Sequence, residues 1–216
     1  MSTLEIPRMA VGGYTLVMPP GWDRIPLRSK SETQDAIKGI VDHAVTYLDP
    51  ATPRDKVTQA RLELHNRLNR AVADARHRNG VDVYLPVEPI HGFVAPASFL
   101  VSKVFPGFAA QTSPSEIMRH LTADFGPSED IELDDVPGVR CQRSVPASPK
   151  EKDSVPSRQV NYVVPVPVPV SDSEEVSEWL IVSFTTLTPE GTPQDFLEIL
   201  TELFDAVMTT FRWSTI

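Results

Sequence analysis

The sequence predicts an α/β protein of the α+β kind, an α/β/α sandwich on a twisted antiparallel sheet. Three observations carry that expectation. Four stretches place apolar residues at helical spacing behind well-marked starts. Seven shorter runs are rich in β-branched and aromatic residues, and turn-forming residues separate several of them. The composition, with 41% hydrophobic and 23% charged residues over 216 positions, is that of a globular chain, and a chain of this size buries roughly 70% of its unfolded surface.

The helices come first because their starts are legible. Ser31-Glu32-Thr33-Gln34 reads as a capping box, followed at helical spacing by Ile37, Ile40, Val41, Ala44, Val45 and Leu48. Three further starts share one pattern: Thr52-Pro53-Arg54-Asp55, Ser113-Pro114-Ser115-Glu116 and Thr192-Pro193-Gln194-Asp195. Each offers a hydroxyl as N-cap, Pro at the first helical position, where no N–H is needed, and an acid near the positive end of the helix dipole. The stripes behind them are Val57, Leu64, Leu68, Val72 and Ala75; Ile117, Leu121 and Phe125; and Phe196, Ile199, Leu200, Leu203, Val207 and Phe211. Each helix is expected to lay one face on a sheet.

Strands are expected at 14–18, 81–87, 99–105, 139–145, 160–170 and 179–187, and around Ile131 and Leu133, which alternate with Asp130, Glu132 and Asp134. Leu180, Ile181, Val182 and Phe184 form a nearly continuous apolar run, as in a central strand covered on both faces. In Val164-Pro165-Val166-Pro167-Val168-Pro169-Val170 the prolines all remove donors from the same side of an extended chain. A blunted edge strand is the expectation, and a polyproline-type ligand is the alternative. Trp22 is expected to plug the end of the sheet and Trp213 to close the last helix. One domain covering 1–216 is expected, with a helical insertion at about 31–79, an exposed, mobile polar loop at 144–157, and the two termini close together.

Charge and cysteine content narrow the function classes. The formal net charge is −9, from 20 Lys+Arg against 29 Asp+Glu. Nucleic-acid binding needs a basic face to neutralise phosphates, so the balance argues against it. No apolar run approaches the roughly 20 residues of a membrane helix. Cys141 is the single cysteine, which excludes an intrachain disulfide and multi-cysteine zinc sites and favours a small buried residue on a strand. The first twenty residues show no secretory pattern, and the expected compartment is the cytoplasm.

The strand and turn Leu16-Val17-Met18-Pro19-Pro20-Gly21-Trp22, the antiparallel runs, and a last helix ending in Phe204-Asp205-Ala206-Val207 and Phe211-Arg212-Trp213 resemble the PsbP-like family. That fold is an α/β/α sandwich shared by an extrinsic photosystem II subunit, a Ran-GTPase-binding nuclear import factor and small actinobacterial proteins of unknown role. The segment from Ser31 to Asn79 is an addition to the family pattern. The resemblance implies a scaffold that mostly binds partners.

Chemistry-bearing motifs are scarce. His43, His65, His77, His91 and His120 include no pair with the spacing that puts two imidazoles on one helix face for zinc. There is no nucleophile elbow, phosphate loop or dinucleotide-binding turn. Asp130 to Asp135 lacks the glycine and spacing of a calcium loop and reads as a solvated strand face. No catalytic residue, cofactor or metal is therefore expected.

Two features point to interaction. The helix after Thr52 carries Arg54, Lys56, Arg61, Arg67, Arg70, Arg76 and Arg78 in an otherwise acidic chain. This is either a solvated face opposite the apolar stripe or a surface for an acidic protein partner, with Arg61, Arg67 and Arg70 as its contacts. The Pro/Gly-rich connection 86–96 either packs as an ordinary loop or lines a small-molecule cleft against the sheet. The expected function is accordingly that of a non-enzymatic protein-binding or accessory protein, with small-molecule binding at the 86–96 cleft as the alternative. Oligomeric state is left open.

Overall fold

The computed structural model describes residues 9–89, 94–107, 112–148, 154–167 and 178–215. In chain order the elements are β1 (Val11–Thr15), β2 (Trp22–Pro26), α1 (Lys30–Ala44), a 3-10 turn (Val45–Tyr47), α2 (Arg54–His77), β3 (Gly80–Pro86) and β4 (Ala97–Val104). They continue with α3 (Pro114–Thr122), β5 (Ser128–Leu133), β6 (Val136–Val145), β7 (Ser157–Pro165), β8 (Trp179–Leu187), α4 (Gln194–Thr209) and β9 (Arg212–Thr215). The strand pairs are antiparallel, so the protein is α+β, as its sequence predicts. Two compact units divide it: Pro20–Ser102, and the chain up to Pro19 together with Lys103 onward.

In the first unit, β2 pairs with β3 and β3 with β4. Helix α1 buries Ile37, Ile40 and Val41, and α2 buries Leu68, Val72 and Ala75, all in one core with Ile25 of β2 and Val83 of β3. Residues 31–79 fall largely within this helix pair. Asp42 pairs with Arg61 and Gln34 with Asn69, so the two helices run antiparallel. Gly80 is required where α2 hands over to β3, because a Cβ there would lie 2.7 Å from the Ala75 carbonyl oxygen.

In the second unit, β5, β6, β7 and β8 pair in that order, and α3 and α4 cover opposite faces of the ladder. On one face Ile117 and Met118 of α3 pack with Val139, Cys141, Val163 and Ile181. On the other, Phe204 of α4 stacks on Phe184 at 5.0 Å and meets Tyr162 edge-on at 5.3 Å. This unit is thus a sandwich in its own right. β1 pairs with β9, bringing the ends of the described chain together, and Tyr14 stacks on Phe211.

Several boundaries differ from the sequence reading. The cap of α1 is Ser29, whose Oγ accepts from the Glu32 N–H at 3.4 Å; Ser31 lies inside the first turn. At α2 and α4 the proline itself is the N-cap residue, with extended ψ and no side-chain cap. Thr192 instead donates its hydroxyl to the Pro189 carbonyl. Among the described residues only Ser113 completes a capping box, accepting from the Glu116 N–H while Glu116 accepts from the Ser113 N–H. The first strand lies at Val11–Thr15 rather than 14–18, and β2 and β9 are additional strands. Trp22 therefore sits within β2, 4.7 Å from the Phe99 ring, and Trp213 within β9.

The proline-rich run corrects a further expectation. Val163 pairs with Val139 on β6 and with Ile181 on β8, so β7 is an interior strand and not an edge. Pro165 comes after the last β6 rung, so its missing donor has no ladder partner to lose on that side. Beyond it, Val166 N–H donates to the Glu178 carbonyl at 2.9 Å; 168–170 lie outside the described residues. In the 144–157 loop, β6 extends to Val145 and β7 begins at Ser157, and 149–153 also lie outside them.

Candidate docking groove between helices α1 and α2

The polar face of α2 adjoins a groove of about 310 Å3, lined by Ala44, Val45 and Leu48 from the end of α1 and the turn after it, and by Ala60, Glu63, Leu64 and Arg67 from α2. Local sequence explains it. The chain leaves α1 through the 3-10 turn, closed by the Leu48 N–H on the Val45 carbonyl at 3.2 Å, which carries Leu48 to the rim rather than into the core. Ala44 and Ala60 supply no side chain beyond Cβ, so the space between the helices there stays open. Leu48 and the neighbouring Tyr47 are 36% and 49% exposed.

The structure places the three predicted contact residues along this helix. Arg61 bridges to Asp42 of α1, and Arg67 pairs with Glu63 one turn away on α2. All four side chains are exposed, and ion pairs of this kind contribute about 0–1 kcal/mol, so neither acid is held firmly. Arg70 has only a weak contact to the Asn66 carbonyl at 3.4 Å and no carboxylate partner among the described residues. Arg76 has a structural role: its Nε donates to the Leu27 carbonyl at 3.0 Å and its Nη2 to Thr33 Oγ1 at 2.8 Å, tying α2 to the entry of α1.

The remaining sequence candidates scatter. His43 lies by Tyr47 and Glu88, His65 bonds Asn69 within α2, and His120 is in the last turn of α3. Cys141 is fully buried, and desolvation pushes its thiol above the ordinary value. In β5, Asp130 and Glu132 face outward while Leu133 is buried, the half-exposed strand that alternation implies. No group of three His, Cys, Asp or Glu side chains is placed to hold a metal among the described residues, and none of their helices is long and apolar enough to cross a membrane. In the 86–96 connection, Val87 and Glu88 N–H groups donate to the Gly21 carbonyl, but 90–93 lie outside the described residues.

One polar cluster escaped the sequence reading. Arg140 on β6 donates from Nε and Nη2 to the two carboxylate oxygens of Asp205 on α4, each at 2.9 Å, and from Nη1 to Glu129 at 2.8 Å. Tyr162 donates to the same Asp205 at 2.8 Å. Burial, then Asp205, raise the Tyr162 pKa above the ordinary phenol value. Partners 65 positions apart leave no local pattern. This network fastens a helix to a sheet, whereas the groove is open to a second molecule.

No protein-family model matches the chain, and no curated protein matches it.

Proposed function

We propose that this protein is a non-enzymatic binding or accessory module that docks an acidic protein partner through its helical insertion. The observation that carries the proposal is the open apolar groove between α1 and α2, bordered by Arg67, on a helix whose arginines stand out in a chain of net charge −9. Apolar surface at the centre with exchangeable charge at the rim is the usual anatomy of a protein interface. Electrostatic complementarity would steer the partner to α2 and set its orientation. We also read the fold as PsbP-like, in which α1 and α2 are the addition that gives this chain its own binding surface, and we place the protein in the cytoplasm.

Site-specific photo-crosslinking tests the reading. A crosslinker replacing the exposed Ala71 of α2 should capture a discrete partner, while one replacing Glu132 of β5 should not. Capture from β5 and none from α2 would overturn it.

A further inference from the structure

We infer that the groove takes an amphipathic α-helix carrying aliphatic anchors on one face and Asp or Glu beside them; this rests on the docking role just proposed and adds the form of the partner. Three features support it. One wall is the interior of α2, whose backbone N–H and C=O groups are bonded within the helix; the other is the end of α1 and the turn after it, which present the side chains of Ala44, Val45 and Leu48. An extended segment laid between them would leave its own backbone groups unpaired against apolar side chains, whereas a helix arrives with those bonds made. Second, Ala60, Leu64 and Arg67 stand at i, i+4 and i+7, one continuous row along α2, and Ala44 and Ala60 leave room for aliphatic side chains entering at the matching spacing. Third, the charge is complementary to an acidic helix. Residues 54–78 hold seven basic and three acidic side chains; Arg67 is one turn from Arg70, whose guanidinium lacks a carboxylate partner among the described residues. An acidic residue next to the aliphatic anchors would meet both.

The test uses the full chain and a displayed library of random peptides of about 15 residues, four turns of helix. Selected peptides should show Leu or Ile at i, i+3 or i+4, and i+7, with Asp or Glu adjacent. Fluorescence anisotropy should then show affinity falling at least tenfold with Ala60→Leu, which fills the groove without changing charge, and at least tenfold with Arg70→Glu. Circular dichroism establishes that both variants are folded. Peptides without helical periodicity, or peptides that bind Ala60→Leu as well as the parent, would overturn the groove-bound helix. If those peptides still depend on Arg70, acidic-partner docking stands without the groove. Indifference to both substitutions would remove both proposals.

Discussion

Arg140 holds Asp205 by two parallel hydrogen bonds of 2.9 Å across the boundary between strand β6 and helix α4. The Arg140 side chain is 14% exposed and that of Asp205 36%, so the pair is neither dry nor freely solvated. Charged hydrogen bonds in such a setting contribute about 1.5–3 kcal/mol, and removing one partner strands the other. Asp205→Ala should therefore lower unfolding free energy by about 2 kcal/mol in urea titrations. A loss under about 0.5 kcal/mol, the range of ordinary surface substitutions, would mean that α4 is held by its apolar face alone.

Tyr162, bonded to the same carboxylate, gives the protein an alkaline limit. Its pKa is raised in the folded state, so the neutral phenol is the form that folding favours. That contribution is complete below the unfolded phenol value of about 10 and is lost as pH rises beyond it. Stability measured from pH 8 upward should fall less steeply in Tyr162→Phe than in the parent. Parallel curves would show that Tyr162 titrates alike in both states.

Burial and a raised pKa make Cys141 chemically quiet. The native protein should react with a thiol-specific chromogenic disulfide only at the rate of global unfolding, and one thiol per chain should appear in denaturant. Fast native labelling would place Cys141 at the surface.

The turn joining β5 to β6 holds Asp134 and Asp135 at φ 49° and 64°. This is the conformation that favours Asn-Gly, and it costs a non-glycine residue about 1 kcal/mol or more. Asp134 has a compensating role, its carboxylate accepting the Trp213 backbone N–H at 2.8 Å. Asp135→Gly should thus raise the unfolding free energy by about 1 kcal/mol, while Asp134→Gly should gain less or lose. Equal gains at both positions would show that the Asp134 bond contributes nothing.

Close packing against Gly138 is a further test. A Cβ there would stand 2.4 Å from Val164 Cγ1 and 2.6 Å from the Val163 carbonyl oxygen. Overpacking of this kind costs about 1–3 kcal/mol, and Gly138→Ala should show that loss in thermal or urea unfolding. A neutral result would mean that β6 and β7 separate easily.

The sequence made some of this plain, for identifiable reasons. Trp179–Leu187 emerges with the predicted bounds because an almost unbroken β-rich run has no helical competitor. The capping box at Ser113 is local chemistry and is realised in full. In α4 the stripe is displaced in part. Of the expected stripe, Leu200, Val207 and Phe211 are buried, but Ile199 is 61% exposed, and Leu197 and Phe204, outside that stripe, are buried in addition. Two interleaved apolar rows satisfy the same period, and only the sheet decides between them. β2 was hidden because Asp23 and Arg24 interrupt it; Arg24 donates to the buried Asp82 of β3 at 2.7 Å, a partner 58 positions away. The groove was half legible. Arg61, Arg67 and Arg70 are legible as basic residues of one helix, but Asp42 opposite Arg61, and the opening left by Ala44 and Ala60, exist only once α1 lies against α2.

The central claim is that α1 and α2 receive an acidic partner, and it is tested most directly on one doubly reversed protein, Arg67→Glu with Arg70→Glu. Both side chains are exposed, so its melting temperature should stay close to that of the parent. Affinity capture followed by stoichiometry should then show a near-stoichiometric partner with the parent chain and none with the reversed one, the parent's capture weakening as salt rises. A partner retained by the reversed protein at both low and high salt would contradict the account.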